Sequence, residues 1–357
     1  MTAAAFLDGL TRPRLSTALG MLAFAALQIG ALTAWLTPER LALMPAGVLM
    51  RHTDDDGAAI SIRALQMVYT PNPDARPLVV VTGASSLREA LVDETGLASD
   101  LSAAVGGASA DTFRVYDLCT SGQELSESLA LLSAVPDDAP GVRLVGIGPL
   151  RLLRTPAEIQ DRMDHPNLAL PRAMLDGPAA ALGATLPTAT GALFIDQLQF
   201  FVSRPQIPLR YVLGPTALRR HRYLGETPWT ADRMAEVTGE LRGRAISGAE
   251  VGEKSLVLMA DVLGRLTAGG RRTVVVLEPP QSPQAAPALA DIDTTWRPKM
   301  QAVAARAGAL YWNLDAEAGL TTADFHDYTH LGRREAMERY QRALAARLAP
   351  YLRKSMK

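Results

Sequence analysis

Residues 79 to 90 read VVVTGASSLREA, an apolar β-branched run followed by a glycine, two serines and the start of a helical pattern. This order predicts a strand that ends in a tight turn and opens directly into a helix. Such a turn serves two unrelated chemistries, since it either holds a dinucleotide phosphate or presents a serine nucleophile. The rest of the sequence has to decide between them.

Short apolar runs alternate with helical patterns from residue 78 onward, which predicts an α/β fold of three layers around a central, mostly parallel sheet. Continuous β-branched runs are typical of strands that are buried on both faces. The predicted strands cover residues 78–82, 113–118, 143–147, 272–278 and 309–314. The predicted helices cover residues 86–105, 123–134, 155–163, 248–268, 297–307 and 333–353.

The segment 15–36 carries no charged residue and is long enough to cross the roughly 30 Å hydrocarbon core of a bilayer as a helix. Arg12 and Arg14 precede it, so the positive-inside rule puts residues 1–14 in the cytoplasm and the main domain outside. We expect a single-pass anchor in the cytoplasmic membrane and a periplasmic or other extracytoplasmic domain. A cleavable signal peptide is the alternative, although its apolar region would normally be shorter.

The remaining organisation predicts a connector at 37–77 and an α/β domain at 78–353, interrupted by an insertion at about 165–245. The insertion contains the apolar stretch 191–202, for which we expect an amphipathic helix packed on the core, and the basic cluster LRRHRY at 218–223. Insertions over an α/β sheet often shape the site or carry a partner surface.

Composition excludes several functions. The 357 residues have a formal net charge of -1, which does not indicate nucleic-acid binding. Cys119 is the only cysteine, so an intrachain disulfide and a cysteine-rich zinc site are both excluded.

The dinucleotide interpretation fails at the positions where the phosphate turn needs further glycines. Leu87 and Glu89 stand there, and a carboxylate beside a pyrophosphate is electrostatically unfavourable. The Tyr-x-x-x-Lys pair of short-chain dehydrogenases is also missing.

The nucleophile interpretation fits the same residues. Ser86 and Glu89 have the spacing of a capping box, which assigns Ser86 to the helix N-cap. Ser85 then lies in the turn at the carboxyl end of the strand, where open α/β sheets place their sites, and Gly83 allows the turn.

A second group of reactive residues precedes the final helix, in ADFHDYTHLGRREA at 323–336. A serine nucleophile needs a histidine that takes its proton and a carboxylate that orients the histidine, and Asp327 and His330 suit these roles. Two alternatives stay open. Asp324 and His326 could join Asp327 and His330 as metal ligands, or Asp324 and His326 could simply cap the turn.

These two blocks resemble the SGNH, or GDSL-like, hydrolase superfamily, in which Gly-x-Ser follows the first strand and Asp-x-x-His precedes the last helix. The resemblance implies that Ser85 is the nucleophile, His330 the base and Asp327 its orienting partner, without a metal or cofactor. It also implies that the backbone N–H of Gly122, in CTSGQEL, joins that of Ser85 in the oxyanion hole.

The chain departs from the family pattern after the third strand, where VGIGPLR stands in place of Gly-x-Asn. Arg151 is a candidate replacement donor, and Arg151 and Glu278 are candidate substrate contacts.

The single anchor and the run Asp327 to Gly332 resemble membrane-anchored SGNH proteins that work with membrane-bound O-acyltransferases, including the D-alanyl transfer proteins of teichoic-acid modification. This resemblance implies an acyltransferase or esterase that acts on an O-acyl group of an envelope polysaccharide or glycan. The alternative is a catalytically weak scaffold that binds a membrane-bound O-acyltransferase.

Overall fold

A computed structural model of the chain describes residues 15–44, 57–70, 76–107, 109, 112–136, 139–204, 231–268 and 272–356. Its centre is a five-stranded, all-parallel sheet with the strand order β2-β1-β3-β4-β5. The α/β class and all five predicted strands are confirmed. The strands are β1 (Leu78–Gly83), β2 (Arg114–Asp117), β3 (Gly141–Gly146), β4 (Arg272–Leu277) and β5 (Leu310–Trp312).

The central strand β1 is buried along its whole length. Leu78 and Val80 belong to one apolar cluster, whereas Val79 and Val81 belong to a second cluster on the opposite face. This alternation follows from the two-residue period of a strand. Neighbouring strands are in register, with Gly83 at the end of β1 opposite Gly146 at the end of β3.

The helices connect these strands and flank the sheet. The helices before the sheet are α1 (Leu15–Trp35), α2 (Pro38–Ala42) and α3 (Gly57–Tyr69). Those between β1 and β4 are α4 (Ser85–Arg88), α5 (Glu94–Val105), α6 (Leu125–Ser133), α7 (Pro149–Leu152), α8 (Pro156–Asp164), α9 (Arg172–Ala181), α10 (Leu193–Asp196), α11 (Leu198–Ser203), α12 (Ala231–Ser247) and α13 (Ala249–Thr267). The last two are α14 (Ala286–Arg306) and α15 (Arg334–Ser355), and short 3-10 turns lie at Pro283–Ala285 and Thr322–Asp324.

Helix α1 is the one helix of the described residues that is long and apolar enough to cross a membrane, over Thr17–Trp35. Its side chains there lie outside the protein core. The end of this helix meets the insertion, since Leu32 and Leu36 pack in one cluster with Phe194, Phe200 and other side chains of α10 and α11.

Several boundaries differ from the sequence expectation. The stretch 191–202 forms two short helices that meet at Gln197 rather than one amphipathic helix. The predicted connector 37–77 contributes α3, most of whose side chains are buried. The basic cluster 218–223 lies outside the described residues.

The predicted helix 86–105 is interrupted, and α5 begins afresh at Glu94 after its N-cap, Asp93. The side chain of Gln341, on the last helix, accepts a hydrogen bond from the backbone N–H of Val92. This contact spans 249 positions of the sequence and helps to hold the non-helical segment in place.

Candidate active site

Ser85 stands at the carboxyl end of the central strand, as the first residue of the short helix α4. Its side chain is partly exposed, whereas Ala84, Ser86 and Leu87 on either side are buried. Close packing requires a glycine at position 83. A Cβ atom at this position would lie 3.1 Å from the carbonyl oxygen of Gly146 on the adjacent strand.

The predicted capping box at Ser86 and Glu89 is wrong. Helix α4 begins one residue earlier, so Ala84 is the N-cap and no side chain caps it. Glu89 pairs instead with its buried neighbour Arg88 at 2.7 Å. A buried guanidinium offers the carboxylate a charged partner, and an uncompensated buried carboxylate would be strongly unfavourable.

The loop that carries His330 is a narrow hairpin, closed by an antiparallel bridge between Phe325 and Leu331. Inside it, the backbone N–H of His326 donates to the carbonyl oxygen of His330 at 2.8 Å. Tyr328 and Thr329 bind the segment after β4, since the Tyr328 carbonyl accepts from Ser282 N and Thr329 Oγ1 donates to the carbonyl of Pro280. These contacts limit where the imidazole of His330 can lie.

Ser85, His330 and Asp327 form one chain of hydrogen bonds. His330 Nε2 lies 2.8 Å from Ser85 Oγ, and His330 Nδ1 lies 2.7 Å from Asp327 Oδ2. Both distances fall within the range expected for a nucleophile, its base and the group that orients the base. The structure therefore brings the three sequence-predicted residues together, although Ser85 and His330 are 245 positions apart.

Asp327 is held as a carboxylate. Burial alone would raise its pKa, but the hydrogen bond and the charge of His330, with two backbone N–H donors, bring the pKa below its usual value. Those donors are the amides of Thr329 at 2.9 Å and His330 at 2.8 Å, and both reach Oδ1. An ionised Asp327 favours the proton on His330 Nδ1, which leaves Nε2 free to accept the proton of Ser85.

The alternative roles proposed for Asp324 and His326 are resolved in part. Asp324 caps the turn before the hairpin by accepting from Thr321 N at 2.8 Å, and it pairs with Arg339 at 2.9 Å. Across the described ranges, no three His, Cys, Asp or Glu side chains are grouped so that they could hold a metal ion.

A cavity of about 230 Å³ opens beside the triad and is lined by Ser85 and His330. Arg151 and Glu278, the candidate substrate contacts, also line it. The sequence did not point to Arg154, Arg244 and Asp293, which complete its charged lining and come from a loop and two helices.

Gly122 has a positive φ of 68° and lies in the loop after β2, but it is not among the residues that line this cavity. Its loop is bound to the serine turn, since Thr120 N donates to the carbonyl of Gly83 and Gly83 N donates to Gln123 Oε1. A Cβ atom on Gly122 would lie 2.8 Å from the side-chain nitrogen of Asn167, an amide that sequence reasoning missed.

The chain was compared with known proteins at three levels. No family model, no curated protein and no solved structure matches it.

Proposed function

We propose that this protein is a serine-dependent O-acyltransferase or esterase of the SGNH type, with a three-layer α/β domain. The observation that carries the proposal is the unbroken hydrogen-bond chain from Ser85 through His330 to Asp327, which opens onto a cavity. Nucleophilic catalysis by a serine needs this arrangement, because the serine is weakly reactive without a positioned base.

The reaction follows from the hydrogen bonds. Ser85 Oγ attacks the carbonyl carbon of an acyl ester while its proton passes to His330 Nε2. The tetrahedral intermediate collapses, His330 gives the proton to the departing alcohol, and the acyl group stays on Ser85. His330 then deprotonates an acceptor hydroxyl or water, which attacks the acyl-serine. The second tetrahedral intermediate releases the acylated acceptor or the acid, and His330 returns the proton to Ser85 Oγ, which restores the free enzyme. Throughout, Asp327 stabilises the imidazolium form of His330.

The negative charge that develops on the carbonyl oxygen needs hydrogen-bond donors. We assign this role to the backbone N–H groups of Ser85 and Gly122, in line with the SGNH pattern. Because Gly122 does not line the cavity, a second candidate function is kept: an SGNH-like scaffold with weak catalysis that binds a membrane-bound O-acyltransferase.

The location and substrate are part of the same proposal. Helix α1 would anchor the chain in the cytoplasmic membrane, with the catalytic domain on the extracytoplasmic side. There the enzyme would exchange O-acyl groups on an envelope polysaccharide or glycan, together with a membrane-bound O-acyltransferase.

The test is covalent labelling of the full-length protein in detergent with an alkyl fluorophosphonate, followed by intact-mass spectrometry. The full chain is used because Leu36 and Leu41 pack against the domain. We expect one adduct on the wild-type protein, none on Ser85→Ala, and a much slower one on His330→Ala. Ser86→Ala is the matched control, since this neighbouring serine is buried and should leave the adduct in place.

An adduct that persists in Ser85→Ala would contradict the proposed nucleophile. No adduct on folded wild-type protein would favour the scaffold. A purified membrane-bound O-acyltransferase added to the reaction would then show whether the site is completed by a partner.

A further inference from the structure

The lining of the cavity beside Ser85 combines apolar side chains with five charged ones. Three guanidinium groups line it, from Arg151, Arg154 and Arg244, together with the carboxylates of Glu278 and Asp293. A pocket for a purely apolar acyl ester would be lined mainly by hydrophobic side chains with few polar groups. The charged lining therefore indicates a ligand with charged or strongly polar groups.

Most of these charges already have partners. Glu278 and Asp293 share Arg297, at 2.8 Å and 2.9 Å. Arg154 pairs with Glu124 at 3.0 Å, and Arg154 and Arg244 each lie 3.3 Å from Glu158. These ion pairs form two groups beside the cavity, and in each group positive and negative side chains are paired.

Arg151 is different. Within the described part of the chain, no hydrogen bond or ion pair joins its guanidinium to another side chain. It is only partly exposed and lines the same cavity as Ser85 and His330. Burial lowers the pKa of Arg151 and the positive charge of Arg154 lowers it further, whereas the nearby carboxylate of Glu124 acts in the opposite direction. The guanidinium of Arg151 is therefore a partly buried cation without a direct hydrogen-bond or ion-pair partner among the described side chains.

An unpaired, partly desolvated guanidinium is unfavourable unless a ligand supplies the missing negative charge. Its planar donors match the oxygens of a carboxylate or phosphate in a two-point contact. We infer that Arg151 binds an anionic group, a carboxylate or a phosphate, on the substrate whose acyl ester reaches Ser85. This inference rests on the proposed function for its meaning, and it makes the substrate an acidic glycan rather than a neutral one.

Binding is tested separately from catalysis. Isothermal titration of the full-length protein in detergent would compare trigalacturonate with its neutral trimethyl ester, and galactose 6-phosphate with galactose. We expect the charged member of at least one pair to bind about tenfold or more tightly than its neutral counterpart. The pair whose charged member binds more tightly identifies the anion as a carboxylate or a phosphate.

The variants locate the effect. Arg151→Gln should abolish the preference for the charged ligand, and Arg151→Lys should retain part of it because the charge remains. The control is Arg265→Gln, which removes an exposed guanidinium paired with Asp261 on α13. Wild-type protein that binds neither anion, or an Arg151→Gln variant that keeps the full preference, would overturn the inference.

Labelling of Ser85 keeps the two proposals apart. An anion that slows labelling in the wild-type protein but not in Arg151→Gln, each compared with its own unprotected rate, supports both proposals. Anion binding without any labelling would leave the subsite standing and favour the scaffold over a serine mechanism that the protein performs alone. Labelling that is slowed more than about 100-fold in Arg151→Gln, with anion binding unchanged, would make Arg151 an oxyanion donor and overturn the subsite.

Discussion

Replacing Asp327 by asparagine should trap His330 in the wrong tautomer, and the hydrogen bonds of Asp327 show why. Oδ1 accepts from the amides of Thr329 and His330, at 2.9 Å and 2.8 Å, while Oδ2 faces His330 Nδ1 at 2.7 Å. In Asp327→Asn, the amide oxygen has to stay with the two backbone donors. A flipped amide would leave both N–H groups unpaired, at about 1–3 kcal/mol each.

The NH₂ group of the introduced asparagine would consequently point at His330 Nδ1 and make that nitrogen an acceptor. The ring proton then resides on Nε2, which faces Ser85 Oγ and can no longer take its proton. We expect the rate constant for fluorophosphonate labelling at pH 7 to fall by about 10³–10⁴-fold, without loss of fold. Asp327→Ala, which has no amide to impose the wrong tautomer, should react at least as fast as Asp327→Asn.

The assay is the second-order labelling rate by intact mass, with circular dichroism as the check on folding. Asp161→Asn is the matched control, since Asp161 also pairs with a histidine, His165 at 3.2 Å, on an exposed helix surface. A fall of less than about tenfold in Asp327→Asn would refute the tautomer argument, as would a rate clearly above that of Asp327→Ala.

Two further predictions concern stability. Burial raises the pKa of Glu127 to about 8, so between pH 4.5 and 8 the folded state keeps a proton that the unfolded chain loses, and stability falls as pH rises. Glu127→Gln keeps a capping oxygen, and at pH 8 its free energy of unfolding should exceed that of the wild type by on the order of 2 kcal/mol. In thermal unfolding this difference should vanish near pH 4.5, whereas the control Glu240→Gln, at an exposed site, should show no such trend. A stabilisation by Glu127→Gln that does not depend on pH would contradict the raised pKa of Glu127. Gly146→Ala would place a Cβ atom 2.3 Å from Leu87 Cδ2, under the serine turn, and should lower unfolding stability by about 1–3 kcal/mol and slow labelling. Gly264→Ala, in open space on α13, should raise stability by about 0.5–1 kcal/mol, and equal behaviour of the two variants would argue against tight packing below Ser85.

The sequence predicted the strands well because their signal is local. A run such as residues 78–82 is apolar and β-branched throughout, and only a strand buried on both faces accommodates it. The apolar helix α1 could be predicted equally well, from the length of its apolar segment and from the lack of charged residues in it. The Asp327–His330 pair could also be proposed, because its two members are three positions apart.

The burial of polar side chains and the contacts between distant segments lay beyond such reasoning. The capping box at Ser86 was a sound local pattern, yet the buried pair of Arg88 and Glu89 replaced it. The long predicted helix at 86–105 broke where Gln341 reaches across from the last helix. In each case a polar group binds a partner that the local sequence pattern does not predict.

The α/β class, the apolar N-terminal helix, the serine in a strand-end turn and the Asp–His pair before the last helix all follow from local patterns in the sequence. The packed structure is needed to show which serine faces the histidine and which arginine of the cavity lacks a hydrogen bond or ion pair with a described side chain. The reason is physical: strand and helix signals arise from neighbouring residues, whereas the reach of Ser85 to His330 and the isolation of Arg151 depend on how parallel strands bring distant loops to one edge of the sheet.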